Sequence, residues 1–265
     1  MKQSAKILVS WVIPTNRYNS SLLKTINSIE VSDISQEIII VLNGAAIGQH
    51  KVNPLSELRL PHIRIVDCPF DGISQALNLG VSIAHGEYIA RLDCDDMSVN
   101  GRLKKQVRFL EKFPNIGVVA GGYTEIDRNG LELTTRTRAL SPAKVKSKLW
   151  FENPICHPTV LMRRKAILTV GGYGTASFCE DYDLWLRMTE ARILIQVVPT
   201  VFVFYQKDSH GEARFNGKAY VDVLASHFAA AARQKSILGL FCFPPRAAYY
   251  AVKHLARKVM FRGRN

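Results

Sequence analysis

Short apolar runs alternate along this chain with amphipathic stretches, and the two periods separate cleanly. Ile7 to Ile13 is an apolar run closed by Pro14, the pattern of a strand buried on both faces. Glu37 to Leu42 repeats it and ends at Asn43-Gly44, and Ile63 to Val66 is a shorter third. Between the first two lies turn chemistry, Pro14-Thr-Asn-Arg-Tyr-Asn19, then a helix capped by Ser20 or Ser21 and running to about Ile29. Gly72 to Ala84 places Ile73, Ala76, Leu77, Leu79, Gly80 and Ile83 on a helical stripe. His85-Gly86 stops that helix, and Glu87 to Leu92 predicts a fourth strand. Strand, helix, strand, helix, strand is the sequence image of an α/β protein with a mostly parallel, doubly wound sheet flanked by helices.

The second half is more varied. Leu103, Val107, Leu110 and Phe113 line one face of a helix ended by Pro114, and Ile116 to Ala120 predicts a buried strand before Gly121-Gly122. Residues 123 to 138 form a hairpin turning at Asn129-Gly130. Short helices follow at Ser141 to Phe151 and Arg163 to Val170, with a strand at Pro158 to Met162 between them. Gly171-Gly172-Tyr173-Gly174 is a loop. A helix from Glu180 to Met188 carries acids in its first turn, where the helix dipole favours them. Two late strands are expected, Ile193 to Val198 and Val201 to Tyr205, parted by Pro199.

With 265 residues and 47% hydrophobic content, the chain is long enough to bury a full core. The division expected is one domain over residues 1–210 and a C-terminal helical region over 211–265. Met1 to Ala5 shows no secretory h-region, and the stretch from Ile193 to Tyr205 is too short to span a bilayer. The five cysteines, at 68, 94, 156, 179 and 242, have no C-x-x-C spacing and read as reduced thiols of a cytoplasmic protein without a zinc site.

A net charge of +13 adds a second theme, because it is unevenly placed. No acidic residue follows Asp222, whereas Arg233, Lys235, Arg246, Lys253, Arg257, Lys258, Arg262 and Arg264 do. Such asymmetry implies a polyanionic partner: nucleic acid, an anionic membrane surface or a phosphorylated substrate. Beyond Pro244-Pro245, one helical face holds Tyr249, Val252, Leu255 or Ala256, and Val259, with Lys253, Arg257 and Lys258 elsewhere on the wheel. That is either an interfacial helix at the cytoplasmic face of a membrane or a helix packed on the domain with its charges in water.

Two acidic clusters carry the candidate chemistry. The fourth strand runs into Asp93-Cys94-Asp95-Asp96, and strand alternation directs Asp93 and Asp95 to one side with Cys94 and Asp96 opposed. Two carboxylates held that close repel by roughly 4 kcal/mol at an effective dielectric of 20. A hard, oxygen-seeking cation such as Mg2+ or Mn2+ offsets that cost, and the ends of such strands are where open α/β sheets bind ligands. The plainer alternative is an acidic turn before the next helix. The second cluster is Glu180-Asp181-Tyr182-Asp183, which suits a helix start. Together the two fit diphosphate chemistry, in which one carboxylate set serves a cation and another takes a proton.

From Ile7 to about Tyr205 the chain resembles the family 2 glycosyltransferases, which are inverting enzymes of the GT-A fold. The resemblance rests on Val12-Ile-Pro-Thr15, Gly72-Ile-Ser-Gln-Ala-Leu-Asn-Leu-Gly80, Gly86-Glu-Tyr-Ile-Ala-Arg-Leu-Asp-Cys-Asp-Asp96 and Arg102-Leu-Lys-Lys-Gln106. His157-Pro-Thr-Val160, Gly171-Gly-Tyr173 and Glu180-Asp-Tyr-Asp-Leu-Trp-Leu-Arg187 complete it. It implies transfer from a nucleoside diphosphate sugar to a hydroxyl of a glycan or lipid-linked acceptor, as in surface polysaccharide biosynthesis. It also implies that Pro14 and Thr15 sit at the nucleotide, that Asp93 and Asp95 hold a divalent metal and the diphosphate with Asp96 adjacent, and that Asp181 is the general base. Glu180 and Arg102 are further candidates within the matching stretches. Asn43 stands where the family often has an acid that reads the nucleobase. Asp208 and His210 lie where many members place a histidine near the metal. His157 is expected to be structural or on the acceptor side, and Trp185 to be core. The rival readings are a catalytically degenerate member serving as a binding subunit, and a basic nucleic-acid-binding protein. The latter leaves both acidic clusters unexplained, and no motif for specific nucleic acid recognition is present.

Overall fold

Side-chain alternation along the first strands explains why they are apolar throughout. In strand β1 (Val9–Thr15), Val12 joins one hydrophobic cluster while Val9, Trp11 and Ile13 join another on the opposite face. In β2 (Gln36–Leu42), Ile39 and Val41 face the first cluster and Ile38, Ile40 and Leu42 the second. A sheet covered on both faces demands such runs. The coordinates are a computed structural model that describes residues 8–49, 63–174, 178–207, 217–245 and 247–249.

With β3 (Ile63–Asp67) and β4 (Tyr88–Arg91), these strands make a parallel half-sheet in the order β3-β2-β1-β4. Beyond β4 the sheet is mixed. Strand β8 (Leu161–Arg163) pairs antiparallel with β4, followed by β6 (Ile116–Ile126), β9 (Leu194–Gln206) and the two-residue β5 (Met97–Ser98). Strand β7 (Glu132–Arg136) hangs on β6 as the second arm of the expected hairpin, with Gly130 at φ +85° in its turn. Helices α1 (Ser20–Asn27) and α3 (Arg102–Lys112) cover one face through Leu22, Ile26, Leu103, Val107 and Leu110. Helices α2 (Ile73–Ile83), α4 (Pro142–Lys148), α5 (Arg164–Thr169) and α6 (Glu180–Glu190) cover the other. The cap of α1 is Asn19, whose Oδ1 accepts the Ser21 N–H at 3.1 Å, rather than either serine.

Two boundaries differ from the sequence reading, for one shared reason. Strand β6 runs on through Gly121-Gly122, and β9 runs through Pro199 as a single strand instead of two. The β6–β9 register slips between Ala120 and Gly122, whose partners are Val197 and Val201, and Pro199 falls in that slip. Proline is tolerated where the ladder is already broken. The glycines are required by crowding: a Cβ on Gly121 would overlap the Phe202 ring, and one on Gly122 the Arg136 carbonyl.

Helix α7 (Gly217–Arg233) lies against α6. Its fully buried His227 meets the Gly239 carbonyl through Nε2 at 2.8 Å and packs edge-on to Trp150, the ring centroids 5.3 Å apart. Ala230, Ala231 and Cys242 belong to the same core cluster as α6, so residues up to 242 share this domain's interior. The amphipathic helix expected beyond residue 249 lies outside the described residues. No helix among the described residues is long and apolar enough to cross a membrane.

Candidate active site

The acidic turn begins where β4 stops. Asp96 N–H donates to the Asp93 carbonyl at 3.3 Å, so residues 93–96 bend and the two-residue alternation ends at Arg91. The alternation expected of an extended chain therefore does not reach Asp95, and the two carboxylates line different hollows on either side of one turn. Asp93 lines a cavity of ≈ 450 Å³ that Glu180, Asp181 and His157 also line. Asp95 lines a separate hollow of ≈ 540 Å³ together with Arg17, Lys24 and Arg128. Asp96 turns inward and is buried; its Oδ1 accepts the Gln206 N–H at 2.9 Å, and its Oδ2 has no hydrogen-bond partner. Burial, then the neighbouring charges of Asp93 and Asp95, push its carboxyl well above the usual range.

Behind this turn stand two arginines with different tasks. Arg91 is buried and ion-paired with Asp93. Burial opposes its charge, but the Asp93 carboxylate more than offsets this and holds the guanidinium protonated. Arg102 lines neither hollow, so it is a positioning residue rather than a ligand-binding one. It lies 5.0 Å over the Trp11 ring, and Nη2 donates to the carbonyls of Arg91 (2.9 Å) and Val160 (3.2 Å) while Nε donates to Gln106 (2.9 Å). Burial lowers its pKa to about 9, and it pins the end of β4 from within.

The second cluster opens α6. Asp181 accepts the Asn153 Nδ2–H on Oδ2 and the Tyr182 N–H on Oδ1, both at 2.7 Å. Burial raises its pKa and these hydrogen bonds oppose the rise. Glu180 is pushed up to about 8, by burial first and the Asp181 charge second. Asp183 faces elsewhere, its Oδ2 accepting from Arg187 Nε at 2.8 Å while Arg187 Nη1 donates to the Val170 carbonyl at 2.6 Å. His157 is buried with Nε2 2.8 Å from the Tyr173 hydroxyl and Nδ1 3.9 Å from Glu180. Burial, aided by Arg91, pulls its pKa well down, so it is a neutral, structural wall of the cavity. Tyr173, whose pKa burial raises, keeps its proton. The loop carrying Tyr173 is gripped by Asn78 of α2: Nδ2 donates to the Tyr173 carbonyl at 2.9 Å, and Oδ1 accepts its N–H at 2.8 Å. Trp185 is core, with no exposure.

The residues expected at the nucleotide have mostly local partners. Pro14 and Thr15 end β1 and are buried; the Thr15 hydroxyl donates to the Arg17 carbonyl at 2.5 Å in the turn that presents Arg17 to the hollow. Asn43 spends its Nδ2–H on the Gly72 carbonyl at 3.2 Å, tying the β2 end to the loop before α2. Asp208 and His210 lie outside the described residues. Arg91 and Asn153 line the cavity and carry no role in the sequence reading, and nor does Tyr173, which stands behind His157. For Arg91 a signal was present, a cation inside an apolar strand directly before two acids.

A divalent cation fits the acidic turn. The buried Asp96 Oδ2 lacks a partner, and the charges that push its carboxyl upward are those a cation would offset. Among the described residues no three His, Cys, Asp or Glu side chains form a ready metal cage. One or two carboxylates with phosphate and water is the set that Mg2+ commonly takes.

A family model described as glycosyl transferase family 2 matches residues 10–171. The amylovoran biosynthesis glycosyltransferase AmsE of Erwinia amylovora is 26% identical over 188 residues, 71% of this chain and 70% of that protein. The O-antigen biosynthesis glycosyltransferase WbnJ of Escherichia coli is 30% identical over 184 residues, 68% of this chain and 71% of its own. Among solved structures, Staphylococcus aureus TarS in complex with UDP-GlcNAc aligns at a TM-score of 0.66 and 15% identity, covering 90% of this chain and 72% of that one. The mannosyltransferase PcManGT of Pyrobaculum calidifontis, with GDP-Man and Mn2+, aligns at 0.64 and 16%, covering 94% and 75%. At such identities the structures establish the shared GT-A fold alone. The family match spans more than half of the chain, and on that ground this protein is a glycosyltransferase belonging to family 2.

Proposed function

We propose that this protein is a metal-dependent, inverting glycosyltransferase that passes a sugar from a nucleoside diphosphate sugar to a hydroxyl of a glycan or lipid-linked acceptor. The observation that carries this reading is convergence: Asp93, from the acidic turn, and Asp181, from the start of α6, line one cavity. Asp93, Asp95 and Asp96 would hold Mn2+ or Mg2+, which when bound neutralises charge growing on the departing diphosphate. Asp181 takes the proton of the acceptor hydroxyl as that oxygen attacks the sugar carbon. Its raised pKa makes it a stronger base than an exposed aspartate, and Asn153 fixes its direction. Glu180, with a pKa of about 8, is largely neutral at pH 7 and spares the cavity a negative charge beyond those of Asp93 and Asp181. Tyr123 and Tyr205, their ring centroids 5.5 Å apart, offer an aromatic wall for a saccharide.

The names of the relatives, which specify amylovoran and O-antigen biosynthesis, support a role in surface polysaccharide biosynthesis. A lipid-linked acceptor has support from a further Escherichia coli relative, 26% identical over 57% of this chain and 55% of that protein. It is named a β-1,3-galactosyltransferase acting on GlcNAc-diphosphoundecaprenol. The test is calorimetry of the purified protein with a panel of nucleotide sugars, with and without Mn2+, followed by transfer assays on the donor that binds. Metal-dependent binding of a nucleotide sugar and its transfer are expected. Absence of binding to every donor would leave a degenerate binding subunit as the correct reading.

A further inference from the structure

Residues 237–245, Ile-Leu-Gly-Leu-Phe-Cys-Phe-Pro-Pro, contain no polar side chain and form a helix. Its inner side is fully used. The Gly239 carbonyl meets His227, a Cβ on Gly239 would lie 2.9 Å from Ala231 and 3.0 Å from Trp150, and Cys242 is buried. A helix lying on a protein surface ordinarily turns polar residues outward. This one turns out Ile237 (71% exposed), Leu238 (47%), Leu240 (46%) and Phe241 (75%). Phe228 of α7, half exposed with its ring 5.5 Å from that of Phe243, extends the patch.

Charge identifies the occupant. Lys235 lies two residues before the helix and Arg246 follows it in sequence, while Arg233 is ion-paired with Glu190 at 2.9 Å; the sequence then carries five more Lys and Arg and no acid to residue 265. A second copy of the chain would bring together two segments whose sequences from Lys235 onward carry cations and no acid. A bilayer containing anionic lipid meets both demands, with an apolar boundary for the side chains and headgroups for the cations. We propose that the outer face of residues 237–241 is a wedge that inserts into the headgroup–acyl boundary of an anionic membrane.

The wedge is coupled to the catalytic helix. His227 holds Gly239 through Nε2, and its Nδ1 lies 3.4 Å from the hydroxyl of Tyr182, the neighbour of Asp181. Docking therefore sets the orientation of the α6 start relative to the lipid surface, which suits an acceptor presented from that surface. Insertion itself is independent of the sugar chemistry proposed above, so each fails or stands separately.

The test uses the full chain and vesicles of phosphatidylcholine, with and without phosphatidylglycerol. The parent is expected to float with the anionic vesicles and far less with the neutral ones. Phe241→Trp should show a blue-shifted emission on adding anionic vesicles. The pair Ile237→Glu and Phe241→Glu should weaken partitioning by about 100-fold, from lost transfer of two apolar side chains. Both positions face solvent, so an unchanged thermal transition confirms that this variant folds. Undiminished flotation of the double variant would overturn the proposal, as would flotation without a blue shift, which would assign binding to the basic residues alone. A parent dimer that the double variant dissociates, with no vesicle binding by either, would assign the patch to a second copy.

Discussion

Asp181→Asn separates basicity from position, and the contacts of Asp181 set the size of each effect. Both carboxylate oxygens act as acceptors, Oδ2 from Asn153 and Oδ1 from the Tyr182 N–H, each at 2.7 Å. An amide accepts at one end only, so the substitution sets an NH2 group against one of these donors. Either Asn153 reverses its amide and gives up the Ile155 N–H it accepts at 3.2 Å, or one donor stays unpaired at about 1–3 kcal/mol. Working the other way, burial already disfavours the Asp181 charge, and removing that charge recovers part of the cost. The two contributions oppose, so the midpoint in urea should move little. Transfer should fall roughly 100-fold or more, about 2.7 kcal/mol of barrier, while nucleotide binding with Mn2+ stays near the parent's. Single-turnover transfer, calorimetry and a urea melt on the same preparation distinguish these effects. Asp183→Asn is the control, because its oxygen belongs to Arg187, outside the cavity. A parent-like rate in Asp181→Asn with a large loss in Asp183→Asn would move the base. Parent-like rates in both would reduce the second cluster to a helix start and refute the mechanism.

Asp95→Ala should abolish Mn2+-dependent nucleotide binding measured by calorimetry, and unchanged affinity would remove Asp95 from the metal set. Arg91→Met strands the Asp93 carboxylate beside a buried apolar side chain and should cost about 3–5 kcal/mol of unfolding free energy in urea. Asn78→Ala removes both hydrogen bonds that hold Tyr173 and should cost about 2 kcal/mol, with a larger loss of activity than of nucleotide affinity. For Glu180, the folded pKa of about 8 exceeds the ordinary value of 4.5, so the folded state binds a proton that the unfolded state has released between these limits. Stability from this group is present below about pH 4.5 and lost as pH rises toward 8; Glu180→Gln should flatten that part of the melting-temperature profile.

The order of elements was legible because each rests on local pattern. The runs at β1 and β2 are apolar on both faces, and α2 and α3 bury a stripe that the sequence shows at helical spacing. Errors arose where a tertiary partner overrides a local signal. Gly121-Gly122 and Pro199 are strand breakers by composition, yet each meets the other strand at the β6–β9 register slip. The breakers accommodate one another, and neither strand alone reveals that. Helix α7 falls inside the helical region expected over 211–265, but no sharp cap or stripe marks its bounds; its buried His227 is explained by Gly239 and Trp150, which the local pattern does not connect to it.

In the candidate site, the two acidic clusters are legible in the sequence and their directions are not. The sequence marks the acidic turn at Asp93 to Asp96, but strand alternation stops at Arg91, before the chain bends. What organises the cavity electrically is Arg91. Its charge acts on Asp96, Glu180, Asp181, His157 and Tyr173, lowering the pKa of each. For the carboxylates that influence favours the ionised form against burial; for His157 the same positive charge favours the neutral ring. One buried guanidinium thus lets anionic carboxylates and a neutral imidazole share a cavity at the same pH. Its own charge survives burial through Asp93, so the acidic turn supports the proton-accepting cluster through this arginine. The proposed base and the acidic turn are therefore electrostatically coupled through Arg91, although they come from distant segments of the chain.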